Sequence, residues 1–305
     1  MILSGRAEPS SIYDIADRTE ALGFHSVWVG DSVVAKPRLD ALTTLAAVGA
    51  CTGRIRLGTA VYLAALRNPV LVAHMVSTVD WLSRGRVDLG IGYSRPNDPV
   101  QEHEYRVLGH DPAKRIKMSE ELVRIIRKLW LENDVSYAGA FSSFEHVTVE
   151  PKPSQTGGVP IWLASNNIEP GLKRVARMAD GWLNNITDPK TYQECLEKIR
   201  AYAVEAGRDP QMIEPALYLT LAAGEDDAVR EGQNFLSQYY NRPYEATAKA
   251  MLCVMGSWDK VMDQIQAYTE SGARTLVLRF AASDQIRQLE ACAEQLAYRG
   301  YLGGS

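Results

Sequence analysis

The stretch RIRLGTAVYLAALRNP, Arg54–Pro69, lies between two helical patterns, LDALTTLAAVGACTGR and NPVLVAHMVSTVDWLSRGR. IRL begins like a buried strand and then breaks into Gly58-Thr59-Ala60, where a central strand would normally continue with bulky β-branched residues. A glycine at that point either admits a tight backbone conformation or lets another group come close to the backbone. The flanking helices make the stretch one strand of a helix–strand–helix unit, and the unit recurs. SIYDIADRTEALGF has helical periodicity and stops at Gly23, ahead of the strand-like SVWVGDS; after a second stop at Gly85 comes VDLGIGYS. Strand starts about 30 residues apart suit βα units that build a parallel sheet.

After Gly92 the alternation loosens. A polar loop from Arg95 to Gly109 precedes a helix over about 114–131, and VSYAGAFSSFEHVTVEPKPSQTGGVP carries short strand-like pieces and proline-rich turns, the pattern of an insertion. Regular alternation then resumes through PIWLASN, EPGLKRVARMA, DGWLNNI and a helix over 189–206. It continues with ALYLTLAA, a helical region over 226–255 interrupted at Asn241–Pro243, the helix DKVMDQIQAYTESG, the strand RTLVLRFA and a last helix over 283–298. Seven strands are expected, at 26–31, 55–61, 87–92, 160–165, 181–186, 216–223 and 274–281. The eighth strand of a barrel is then either missing or abbreviated within Met1–Ser4.

The 305 residues, 46% of them hydrophobic, suffice for a sizeable core. A formal charge of -4 and the lack of a basic block exclude a nucleic-acid partner. No apolar run reaches the roughly 18 residues that span a membrane. MILSGRAEPSS lacks the apolar core of a signal peptide, so a cytoplasmic location is expected. Cys51, Cys195, Cys253 and Cys292 are far apart in apolar contexts and read as buried thiols. The five histidines form no HxH or HExxH pattern, so no metal is expected.

A β/α barrel carries its chemistry at the C-terminal ends of its strands. Six of these ends are small or polar here: Gly30-Asp31-Ser32, Gly58-Thr59-Ala60, Gly90-Ile91-Gly92-Tyr93-Ser94, Ala164-Ser165-Asn166-Asn167, Asn184-Asn185 and Ala222-Ala223-Gly224. Ser165 and Asn166 stand after a strand and before a helix, where free N–H groups favour an anion such as a cofactor phosphate. His103, Glu104 and Tyr105, in the loop after GIGYS, are candidates for the pocket. The chain carries no GxGxxG, no GxxxxGK[ST] and no GxSxG, which counts against dinucleotide, nucleoside-triphosphate and serine-hydrolase chemistry.

Taken in order, ADRTEALGFHSVWVGDS, RIRLGTAVYLAALRNPVLVAHMVSTVDWLSRGRVDLGIG, VPIWLASN with RVARMADGWL, and GSWDKVMDQIQAYTESGARTLVLRF resemble the luciferase-like monooxygenase superfamily of flavin- or deazaflavin-dependent oxidoreductases. The resemblance implies a single (β/α)8 TIM barrel over residues 1–305, with an insertion before the fifth strand. It also implies a flavin ring at the C-terminal mouth. Asp31 and His103 are then the catalytic candidates. Ser32, Thr59, Ala60 and Ser94 border the ring or substrate, Ser165 and Asn166 hold phosphate, and a bulge or non-proline cis peptide falls between residues 58 and 61. Two departures stand out. Many deazaflavin enzymes of the family carry Asp-His where this chain has Asp31-Ser32, and the family's phosphate turn is commonly Gly-Gly or Gly-Ser where this chain has Ala-Ser-Asn-Asn.

The implied activity is an FMN-using monooxygenase acting on a small organic substrate, fed by a flavin reductase; the alternatives are F420-dependent hydride transfer and a non-catalytic flavin-binding or scaffold barrel. The cofactor would carry the hard chemistry and the protein would position it. The family also implies a homodimer, to which GRAEPSSIYDIAD could contribute.

Overall fold

A computed structural model of the chain describes residues 1–3, 9–95, 97–224 and 226–302. In chain order the elements are β1 (Ile2–Leu3), α1 (Pro9–Ala21), β2 (Ser26–Val29), α2 (Ala41–Cys51), β3 (Arg56–Thr59), α3 (Pro69–Leu82), β4 (Val87–Ile91), α4 (Pro99–Val107) and α5 (Arg115–Leu131). They continue as β5 (Val135–Ala138), β6 (Ser143–Val147), β7 (Ile161–Ala164), α6 (Glu169–Met178), β8 (Gly181–Leu183), α7 (Pro189–Glu205) and β9 (Glu214–Ala223). The chain closes with α8 (Asp226–Tyr240), α9 (Tyr244–Ala248), β10 (Cys253–Gly256), α10 (Trp258–Glu270), β11 (Thr275–Phe280) and α11 (Gln285–Tyr298).

All seven expected strands form, and the eighth is the abbreviated β1, whose two residues are buried. Residues 4–8, which include part of the segment expected to serve a dimer, lie outside the described residues.

Helix starts follow one chemical rule. In Asn68-Pro69, Asp98-Pro99 and Asp188-Pro189 the Asx side chain accepts from backbone N–H groups of the first turn. The proline fills the first helical position, where no N–H is needed. That rule corrects the loop expected over 95–109, because Asp98-Pro99 starts α4 there. A second difference lies further along the chain. The helical region expected over 226–255 ends at Tyr240, and after α9 the run around Cys253-Val254-Met255 becomes strand β10, paired beside Thr220–Ala223.

The chain divides into two compact units. In the unit of Trp28–Ala164, β4 pairs in parallel with β3 and with β7, in the registers Leu57↔Val87 and Leu89↔Ile161. Leu57, Val87, Leu89 and Ile161 are fully buried there. The insertion is held by Asp80, whose carboxylate accepts from Ser154 N (2.8 Å) and Gln155 Nε2 (2.8 Å).

In the unit that holds Ser10–Val27 and the chain from Ser165 onward, β9 is the central strand. β8 pairs with its start, and β11 runs alongside Ala216–Leu221. β10 and β11 overlap along β9 at Thr220 and Leu221, so they take its opposite edges. Leu217, Leu219 and Leu221 are buried, as are Val261, Ile265 and Leu289 on the helices of this unit. Three thiols are buried or half-buried, but Cys51 is exposed, against the expectation of four buried ones. No helix among the described residues is long and apolar enough to cross a membrane.

Candidate active site

The break in RIRLGTAVY has an internal cause at Gly58. A Cβ there would run into the indole of Trp28 on the neighbouring strand, so the close approach is made by the protein's own ring. Trp28 in turn meets Trp162 edge to face, with centroids 5.3 Å apart. Thr59 is fully buried, and its hydroxyl donates to Gly90 O (2.8 Å) and accepts from Gly90 N (2.9 Å), replacing ladder bonds between β3 and β4. The peptide between Ala60 and Val61 is cis, within the stretch where such a peptide is expected. A Cβ at Gly92 would overlap the Val61 side chain, so the glycine of β4's exit makes room for it. Ala60 is half-buried. A flat ligand at this strand end would meet Ala60 and backbone, with the Thr59 hydroxyl already engaged.

Asp31 follows β2, and its carboxylate is completely buried. It accepts from Arg67 Nη1 (2.6 Å), Arg67 Nη2 (2.9 Å) and Leu63 N (2.9 Å), while Arg67 also reaches Asp40 at 3.3 Å. Burial works against the Arg67 charge, but Asp31 outweighs it and holds the guanidinium pKa above its ordinary value. The Arg67 guanidinium also lies over the Tyr62 ring at 4.3 Å. Asp31 is therefore the anchor of an ion pair, with both carboxylate oxygens already accepting hydrogen bonds.

The other catalytic candidate is His103. On α4 it is exposed, whereas Glu104 and Tyr105, the next two residues, are fully buried. Tyr105 packs with Leu63, Ala65 and Leu66, joined by Leu108 and Met118. Glu104 Oε1 accepts from the Ser32 hydroxyl (2.9 Å) and from the N–H groups of Val33, Val34 (2.8 Å) and Ala35 (3.2 Å). Ser32 Oγ in turn accepts from Lys36 N (2.9 Å). The carboxylate of α4 thus ties down the loop after β2, and its other oxygen, Oε2, is buried with no hydrogen-bond partner. Reading this segment as a loop hides the helix face that buries Glu104.

Four more buried polar atoms of this unit have no partner: Tyr62 OH, Ser94 Oγ, Tyr105 OH and Trp162 Nε1. Ser94, in a left-handed conformation (φ 36°), places its hydroxyl near that of Tyr105 without completing a bond of good geometry. Burial pushes both phenols up, with the Arg67 charge opposing it at Tyr62 and the Ser94 hydroxyl opposing it at Tyr105. Both therefore stay protonated donors at neutral pH. The Asp31 charge adds to the upward push on both phenols. Buried donors without acceptors are costly, and such a group marks a place where a ligand completes the bonding.

Ser165 and Asn166 belong to the other unit. Their side chains are engaged: Ser165 Oγ donates to Asn166 O (3.0 Å), and Asn166 exchanges bonds with Asn185 through Nδ2 (2.7 Å) and Oδ1 (3.1 Å). What remains for an anion is the start of α6, where Ile168 offers no side-chain cap, although Glu169 puts a negative charge in its first turn. Among the described residues, no three His, Cys, Asp or Glu side chains gather as metal ligands.

The profile of the luciferase-like monooxygenase family matches residues 1–275. An F420-dependent glucose-6-phosphate dehydrogenase of Kineococcus radiotolerans is 29% identical over 313 residues, which cover 92% of this chain and 90% of that protein. An uncharacterized protein of Mycobacterium tuberculosis is 35% identical over 179 residues, 57% of this chain; the match spans 60% of the length of that relative. Among solved structures, an F420-dependent secondary alcohol dehydrogenase in complex with an F420-acetone adduct superposes with a TM-score of 0.80 at 22% identity, covering 96% of this chain and 95% of its own. At that identity the likeness is one of fold, the (β/α)8 barrel, with β1, β2, β3, β4, β7, β8, β9 and β11 as its strands.

Proposed function

The chain belongs to the luciferase-like monooxygenase family and is an oxidoreductase, and from that premise we propose that it binds the deazaflavin F420 and moves a hydride between it and a small organic substrate. The relative named as F420-dependent over 92% of this chain favours F420 over the FMN that the sequence reading put first. The observation that carries the reading of the site is the set of unpartnered buried atoms in the unit that holds Asp31: Tyr62 OH, Ser94 Oγ, Tyr105 OH, Trp162 Nε1 and Glu104 Oε2. They suit a planar heterocycle with carbonyl and ring-nitrogen edges beside a polar substrate.

When bound, a deazaflavin supplies the site where two electrons and a proton enter or leave as hydride. The chain's residues do the rest. Ala60 and the backbone beside it offer a flat support, and the Asp31–Arg67 pair fixes Leu63 and Tyr62. The two phenols and the Ser94 hydroxyl donate hydrogen bonds. Leu63 and Leu66 exclude water. Glu104 Oε2 is the carboxylate oxygen that takes or returns the substrate proton, while Oε1 holds the loop of residues 32–35 in place.

Titration of the purified protein with F420 and with FMN tests this reading. F420 uptake at micromolar concentration is expected, with binding retained and turnover lost in Glu104→Gln. Uptake of FMN with none of F420 overturns it in favour of the monooxygenase reading with a reductase partner.

A further inference from the structure

The second unit holds a buried arginine that meets no carboxylate among the described residues. Arg279, near the end of β11, is only 6% exposed. Its Nη1 donates to Tyr240 OH (2.7 Å), and its guanidinium lies over the Tyr239 ring at 4.2 Å. These contacts fix the plane of the group and leave Nη2 buried without a partner. Arg242, in the turn after α8, is held by a bond from Nε to Thr247 Oγ1 (2.9 Å), and its Nη2 is likewise buried and unpartnered. The Arg242 and Arg279 guanidiniums lie 5.2 Å and 5.3 Å from the Tyr240 ring.

Across the sheet, Arg279 is in register with Thr220, and Thr220 with Cys253, so the three side chains share one face. The Thr220 hydroxyl is also buried without a partner. Burial opposes the Arg279 charge, and what offsets it comes from the phenols of Tyr218, Tyr240 and Tyr239.

A buried cation is expected to be paired, and Arg279, sharing its tyrosine cluster with the partly buried Arg242 and meeting no carboxylate among the described residues, is costly as it stands. Two fixed guanidiniums that each keep one free nitrogen, with a hydroxyl between the strands, form a donor set for an oxyanion. Thr220 and Arg279 also stand toward the C-terminal ends of β9 and β11, the ends at which a β/α barrel carries its substrates.

We propose that Arg279, Arg242 and the Thr220 hydroxyl bind the oxyanionic group of a small-molecule substrate, a dianionic phosphate monoester in preference to a monoanionic carboxylate. The site stands on these residues alone; its assignment to substrate rests on the cofactor reading above.

The experiment uses inorganic phosphate as the probe, with acetate and ionic-strength-matched chloride as controls, in calorimetry and thermal melts of the whole chain. Phosphate is expected to bind and raise the melting temperature, and acetate to bind more weakly. Arg242→Gln, at a half-exposed position that tolerates the change, should weaken phosphate by at least about tenfold, the loss of a charge-assisted hydrogen bond. Arg279→Lys keeps the charge and loses the fork, and should weaken it as well. No phosphate binding beyond chloride overturns the site, as does unchanged binding in both variants.

A second arm separates two sources of the oxyanion by repeating the titration on protein saturated with whichever of F420 or FMN it takes up. Retained phosphate binding supports the substrate assignment. Competition gives the oxyanion to the cofactor and overturns that assignment. If neither cofactor binds, the cofactor reading and the substrate assignment both fall, while the phosphate arm still decides the site.

Discussion

Arg67 and Arg279 make an instructive pair. Each lies against tyrosine rings and each is largely or wholly taken out of water, but their partners differ. Arg67 meets the buried Asp31 carboxylate through two nitrogens, at 2.6 Å and 2.9 Å, and touches Asp40 as well. Arg279 has a phenol on Nη1, an aromatic face beneath it, and nothing on Nη2. The first arrangement is complete within the folded chain and positions neighbours, since Asp31 also takes Leu63 N. The second is incomplete, and a ligand can complete it. Residue type does not distinguish the two arginines; the difference lies in whether a carboxylate sits within bonding distance.

The largest effect is expected where the comparison is broken at Arg67. Asp31→Asn removes the buried carboxylate from that arginine, leaving it the more exposed Asp40 at 3.3 Å, and deprives Leu63 N of a charged acceptor. Breaking a buried pair from one side costs about 3–5 kcal/mol. Denaturant unfolding should register that loss, and a change below about 1 kcal/mol would mean the pair has no anchoring role.

Glu104 holds the same contrast within one side chain, with Oε1 bonded to four donors and Oε2 to none. Glu104→Ala leaves the three backbone N–H groups of residues 33–35 without their acceptor and should cost about 2 kcal/mol. Hydrogen exchange should then speed up at those three amides. Unchanged exchange there would show that the loop is held by something else.

The converse change supplies the carboxylate that Arg279 lacks. Thr220→Asp places one in register beside it. Attraction and desolvation nearly offset each other for a buried pair, so stability should stay within about 1 kcal/mol of wild type. Phosphate binding should be lost, since the donors are then occupied. Phosphate bound as tightly as before would separate Arg279 from the oxyanion site.

What could be read from the chain follows the same division. Strand and helix periodicity and the Asx-Pro starts are local signals, and all seven strands follow from them. The oddity of Gly58 shows in the local pattern, although its cause, the Trp28 indole, is a long-range contact. Asp31 and Ser32 were recognisable as polar strand-end residues. Their partners, Arg67 and Glu104, lie 36 and 72 positions away, and nothing in the spacing pairs them. His103 drew attention because histidine is a common catalytic type, but helix geometry turns it outward and buries Glu104. Arg279 reads in RTLVLRFA as an ordinary strand residue. Its meaning depends on the absence of a carboxylate partner among the described residues, which only the packed structure reveals.

The smallest expected effect is also the one read most directly at the unpaired arginines. Cys253 faces them across Thr220, and burial pushes its thiol up to about 11, with the charges of Arg279 and Arg242 pulling the other way. The thiolate is the reacting species, so alkylation of Cys253 in the folded protein should climb about tenfold per pH unit through pH 9 without levelling off. Exposed Cys51 serves as the internal reference. Removing a cation takes away stabilisation of the thiolate, so Arg242→Gln should slow the reaction at every pH. A phosphate seated between the two guanidiniums adds negative charge beside the sulfur and should slow it as well, whereas matched chloride should not. If phosphate instead leaves the Cys253 rate untouched while binding is observed by calorimetry, the bound anion sits elsewhere, and Arg279 is only a more deeply buried relative of Arg67.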